Sequence, residues 1–175
     1  MIVNDVAWLS LAVTQIHEFE EIVFIEPFLR RTRDDPRSPQ LPFQSSRGTS
    51  TSTIAFNIGL NFVLFTVFTL VAVIFNWYSF LWGFLVVFTL HLVGHVTETL
   101  RLRRYTPSTV TGFATLPWML YAVWYLPHYH HVRGPSGVVA LIAMMVVADI
   151  DLRFLHGNED RFEAWLGRVF GPPDR

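Results

Sequence analysis

Read for polarity alone, the chain is a succession of long apolar runs separated by short polar ones. Five runs approach or reach the ~20 residues that a helix needs to cross the hydrocarbon core of a bilayer. They cover about Val6–Leu29, Thr53–Phe75, Phe80–Leu100, Ser108–Leu126 and Gly137–Leu155. Hairpin signals separate the later runs: NWYS, then RRYTPS, then LPHYHHVRGPSG. The first separator, RRTRDDPRSPQLPFQSSRGTSTS, is longer and rich in Pro, Arg, Asp and Ser, the composition of a polar loop. Beyond the fifth run, Phe162, Trp165, Leu166, Val169 and Phe170 recur at helical spacing among Glu159, Asp160, Arg161, Glu163 and Arg168. That spacing predicts a short amphipathic helix lying on a membrane surface, stopped by Gly171, Pro172 and Pro173. The pattern as a whole predicts an all-α polytopic membrane bundle of five transmembrane helices over residues 1–155, with an interfacial amphipathic tail over 156–175.

Composition strengthens the membrane reading. Hydrophobic residues make up 51% of the 175 and charged residues only 15%, against about 25% charged in an ordinary soluble domain. Mean hydropathy is +0.37. A formal net charge of −1 argues against a nucleic-acid partner, and the absence of cysteine excludes disulfides and thiolate chemistry. The first apolar run carries Asp5, no positive n-region and no convincing cleavage site, so it reads as a span and not as a leader.

Arginine supplies the orientation. Arg30, Arg31, Arg33, Arg37 and Arg47 follow the first run, Arg101, Arg103 and Arg104 follow the third, and Arg153, Arg161, Arg168 and Arg175 fall in or after the end of the fifth. Five spans put all three groups on one side and leave only Arg133 on the other. The positive-inside rule then predicts an outside N-terminus and a cytoplasmic C-terminus.

Against this background two concentrations of ionisable residues stand out, because each such group at membrane depth costs several kcal/mol unless paired or functional. In HEFEE, His17, Glu20 and Glu21 stand at i, i+3 and i+4 on one helix face; in TLHLVGHVTETL, His91, His95 and Glu98 stand at i, i+4 and i+7. The arginine topology sends both spans from outside to inside and brings the two stripes to similar depth. Two facing stripes with three imidazoles and three carboxylates have the make-up of a buried metal site in a helix bundle. Taken singly, an intramembrane histidine is more often a strut between helices, and Glu26 near Arg30 and Arg31 reads as a surface pair. Asn57 and Asn61 on the second span share a face and are candidates to orient ligands by hydrogen bonds, with helix packing as the alternative. Gly83 reads as a point of close helix approach.

HEFEE resembles the namesake motif of the HXXEE family, small bacterial membrane proteins of largely uncharacterised function. A second landmark of that family, Asn-x-x-x-His followed by an arginine-rich turn of the kind R-Y-x-P-G-x-x-T, is similar to HLVGH followed by RLRRYTPSTVT. His95 matches the family histidine; Arg104, Tyr105, Pro107 and Thr111 match the turn; His91 stands in place of the Asn and Ser108 in place of the Gly. The resemblance runs from the first span through the fourth. It implies a metal-dependent or acid–base site built from these residues, implies no known reaction, and with the topology above points to a bacterial inner membrane.

His17-x-x-Glu20-Glu21 is comparable with the inverzincin arrangement, in which residues at i and i+4 grip one metal and the Glu at i+3 takes a proton from bound water. The first reading is therefore a membrane-embedded metal-dependent hydrolase. His17, Glu21, His95 and His91 hold a divalent cation, zinc before iron. Glu20 is the general base, and Glu98 is a further ligand or a neighbour of the ligands. A lipid-like substrate within the bilayer fits the depth. A di-iron oxidase or hydroxylase is a variant that uses the same donors. An ion or proton transporter is the alternative from another class; the chain shows no inverted repeat, which a homo-oligomer would have to supply.

Overall fold

The computed structural model describes residues 2–32, 34, 50–129 and 131–171; Arg33, Arg37, Arg47, His130, Pro172, Pro173 and Arg175 lie outside them. The described residues form five helices and no strand: α1 Val3–Thr32, α2 Thr51–Phe75, α3 Tyr78–Leu102, α4 Thr109–His128 and α5 Gly134–Phe170. Local chemistry sets the boundaries. Asn76 closes α2 with φ 54°, the left-handed conformation that asparagine tolerates at a helix end, and Arg103 closes α3 with φ 51°. Pro135 lies in the first turn of α5, where its missing N–H is not needed.

The expected surface tail is not a separate element. α5 runs unbroken for 37 residues from Gly134 to Phe170, so no boundary falls at 155/156. No proline interrupts it before Pro172, and residues 158–166 include good helix formers. Instead of lying apart, the extension packs on the start of α2: Phe162 stacks on Phe56 with ring centroids 4.2 Å apart. Glu163 Oε1 accepts the Ser50 N–H (2.8 Å) and the Thr53 hydroxyl (2.6 Å). From α1, Glu26 Oε2 accepts the Thr51 N–H at 2.8 Å and the Thr51 hydroxyl. Two carboxylates thus meet orphan N–H groups at the positive end of α2.

Among the described helices, α2 and α3 alone are long and apolar enough throughout to cross a membrane, with mean hydropathies of 2.5 and 1.7. Glutamates at positions 18, 20, 21 and 26 interrupt α1, and α4 is 20 residues long with Pro117 and Pro127 inside it.

α1 packs on α2 and α4, while α3 packs on α2, α4 and α5. α1 and α3 are therefore the diagonal pair of a four-helix arrangement, and α5 lies outside against α3. At the end marked by Trp77 the interior is apolar. Leu11, Phe65, Leu85, Leu92, Met119 and Leu126 are among its buried members. Tyr78 donates to Asn4 there, and Trp82 Nε1 donates to the Val123 carbonyl at 2.9 Å, tying α3 to α4. Outside this core Trp124 stacks on His128, and His131 rests against Tyr78 and Tyr125. Toward the arginine end the interior changes character, and polar groups replace the apolar ones.

Candidate metal centre

The polar interior begins one turn below Phe88, where α1 and α3 turn the same faces inward. Helical spacing puts His17 and Glu21 on one face of α1, and His91 and His95 on one face of α3. The two faces meet. One donor atom from each of His17, Glu21, His91 and His95 lies within 4.8 Å of all the others. Nε2 of His95 is 2.9 Å from Oε1 of Glu21, Nε2 of His91 is 3.8 Å from the same oxygen, and the two Nε2 atoms are 3.0 Å apart. A tetrahedral cation with bonds of about 2.0 Å holds its ligand atoms about 3.3 Å apart, a spacing that these three separations bracket. The ring of His17 completes the group, with centroids 5.7 Å from His91 and 5.4 Å from His95.

Burial is uneven in a way that bears on access. His17 is fully buried and His95 nearly so, whereas the side chain of His91 keeps 31% exposure and that of Glu21 14%. Nε2 of His17 has no hydrogen-bond partner among the described residues. A buried imidazole nitrogen without a partner costs about 1–3 kcal/mol, a penalty that a coordinated cation removes. The donor set, three imidazoles and one carboxylate, is one that zinc accepts.

The first turn of α4 forms the wall beside α1. Ser108 adopts φ 71°, the left-handed region where glycine is at ease. Its hydroxyl, which at a helix start would ordinarily cap its own helix, donates instead to Glu21 Oε1 at 2.8 Å. Glu20 takes over the capping from α1. Oε2 accepts the Thr111 N–H at 2.7 Å and lies 2.6 Å from the Thr111 hydroxyl; Oε1 accepts the Val110 N–H at 3.3 Å and the Tyr105 phenol at 2.7 Å. Burial, then the adjoining Glu20 carboxylate, pushes the Tyr105 phenol up from its ordinary value, so it remains a donor. Thr111 Oγ1 also lies 3.2 Å from Nδ1 of His17.

A family model described as "Protein of unknown function with HXXEE motif" matches residues 8–124. The chain belongs to the HXXEE family. No curated protein and no solved structure matches it. The family's namesake histidine and second glutamate are thus two of the four converging donors in this HXXEE protein, and its first glutamate is the one that caps α4.

Of the residues singled out from the sequence, His17, Glu21, His91 and His95 come together. Glu20 does not join them: each of its oxygens is occupied by donors from the α3–α4 turn and α4, a different place from the water-facing one expected of a general base. Glu98, three residues beyond His95 on α3, lies outside the group of four. Asn61 is half-buried on α2 and is not among the converging donors. Asn57 is half-buried on α2 and makes no described contact with them. Arg153 pairs with Asp149 at 2.8 Å. Roles for Ser108 and Thr111 were not legible from ligand chemistry. The signal that could have found them is structural, since Pro107-Ser108-Thr109 reads as a helix start.

Proposed function

We propose that this HXXEE protein is a membrane-embedded metalloenzyme of five spans, most simply a zinc-dependent hydrolase of a lipid-like substrate in a bacterial inner membrane. The observation that carries the reading is the convergence of His17, Glu21, His91 and His95 within 4.8 Å. Large apolar side chains exposed on α1, α4 and α5, such as Phe19, Phe113, Leu120, Ile142 and Met145, support a lipid-facing exterior for the helices that α2 and α3 accompany. The arginines support the topology, with the N-terminus outside and the C-terminus cytoplasmic.

His17, Glu21 and His95 are the fixed ligands in this reading, and half-exposed His91 stands at the side from which water or substrate enters. Bound there, zinc would polarise an ester or phosphoester oxygen and lower the pKa of a bound water toward neutrality. Ser108 holds the Glu21 carboxylate in place. Glu20 orients and docks α4. Four converging donors suffice for one ion, which favours the single-metal form over the di-iron form. The mainly apolar core in the Trp77 half of the bundle supports an enzyme over a transporter needing access from both sides.

The test is elemental analysis of the detergent-purified protein beside a Glu21→Ala, His95→Ala variant. Near-stoichiometric zinc that is lost in the variant is expected, followed by hydrolysis assays on lipid esters and phosphoesters. No metal in either preparation refutes the proposal.

A further inference from the structure

Thr111 makes three contacts to two neighbours with one hydroxyl and one N–H. The N–H goes to Glu20 Oε2; the hydroxyl lies 2.6 Å from that oxygen and 3.2 Å from Nδ1 of His17. A threonine hydroxyl has one proton to give. Glu20 faces donors on every side, namely the N–H groups of Val110 and Thr111 and the phenol of Tyr105, so it stands as an acceptor and the Thr111 proton points to it. What Thr111 then offers His17 is a lone pair, and only an N–H can meet a lone pair. Nδ1 of His17 therefore carries the imidazole proton and Nε2 carries the free electron pair. That Nε2 is the buried atom with no hydrogen-bond partner among the described residues.

We propose that Thr111, oriented by Glu20, is a positioning residue that fixes His17 as its Nδ1–H tautomer and so commits Nε2 to the cation. Metal-bound histidines commonly donate their second N–H directly to a carboxylate or carbonyl. Here a hydroxyl stands between the carboxylate and the ring, and the reason lies in the fold: Glu20 is already engaged at the N-terminus of α4. One carboxylate thereby docks α4 on α1 and aims a ligand. Tyr105 completes the arrangement by keeping Oε1 occupied, which prevents Glu20 from rotating away from Thr111. The functional value of the relay rests on the metal-site reading; the tautomer itself exists without any cation.

That separation defines the experiment. The full chain, labelled with ¹⁵N-histidine and stripped with chelator, is examined by NMR in detergent, and the His17 signals are identified by their loss in His17→Gln. The expected result is Nδ1 protonated and Nε2 bare; His17 found as the Nε2–H tautomer overturns the proposal with no further variant. Zinc affinity is then measured for wild type, Thr111→Val and Thr111→Ser. Thr111→Val should release the tautomer preference and weaken zinc about 10–100-fold, and Thr111→Ser should restore both, a rescue that a merely space-filling role would not give. Unchanged tautomer and affinity in Thr111→Val also overturn the proposal. Should Thr111→Val fail to fold, the wild-type and Thr111→Ser spectra decide. If the wild type takes up no zinc, the enzyme reading falls while the tautomer measurement still tests the relay.

Discussion

Gly83 provides a test of the packing that holds α3, and with it His91 and His95, in place. A Cβ at Gly83 would come 2.8 Å from the carbonyl oxygen of Ala140, 3.0 Å from the carbonyl carbon and 3.0 Å from Cγ of Met144. Ordinary contact begins near 3.4 Å, so Gly83→Ala requires the α5 backbone to withdraw by about 0.6 Å, and a close-packed interior resists such a shift. Overpacking of this kind costs about 1–3 kcal/mol, while the gain in helix propensity returns about 0.5–1 kcal/mol. Two other glycines calibrate the result. Gly59 on α2 has nothing within 4 Å of its added Cβ, so Gly59→Ala should be neutral or stabilising. At Gly137 the nearest atom is Val132 Cγ1 at 2.9 Å, a side-chain end able to rotate, so that variant should fall between the two. Reversible unfolding in mixed micelles, followed by tryptophan fluorescence and circular dichroism, ranks the three. Gly83→Ala as stable as Gly59→Ala would refute the close backbone approach of α5 to α3.

Other outcomes follow from the same contacts. Burial alone would raise the Glu163 carboxyl, but the hydrogen bonds from Ser50 and Thr53 outweigh it and hold the group below its ordinary value of 4.5. A depressed folded-state value means that the contribution is complete above the ordinary value and is lost as pH falls through the folded one. Between about pH 5 and pH 3 the wild type should therefore lose more thermal stability than Glu163→Gln, and parallel curves would contradict the clamp. Ser108→Gly relieves a left-handed backbone worth roughly 1–2 kcal/mol but deletes a hydrogen bond to a carboxylate worth about 1.5–3 kcal/mol. The fold should change by only about 1 kcal/mol while zinc binding weakens several-fold, because Glu21 loses its restraint. Calorimetry and a zinc titration on the same preparations separate the two effects.

Periodicity made the helices and the four converging donors legible. His17 with Glu21, and His91 with His95, are each i, i+4 pairs, a spacing that fixes a shared face before any tertiary contact is known. The role of Glu20 was not legible in that way. Its i+3 position puts it on the same broad face as His17, yet the deciding contacts come from Tyr105, Val110 and Thr111, about 90 residues away in sequence. The tail reads as a separate amphipathic helix because Phe162, Trp165, Leu166, Val169 and Phe170 recur at helical spacing among charged residues. A change in polarity does not break a backbone, however, and α5 continues through it.

The two carboxylates on the start of α2 also impose an order in time. Glu26 precedes Ser50 in the chain and can engage Thr51 as soon as α2 emerges, so the α1–α2 hairpin can begin to close early. Glu163 follows Ser50 by 113 residues. At about 5–20 residues per second it is synthesised roughly 6–23 s later. For that interval the nascent hairpin is held by one acid alone, and its arginine end stays unlatched while α3 and α4 are made. The arrival of α5 is then a closing step of biogenesis, one that locks the bundle only after α1 and α3, which carry the converging histidines, have been made.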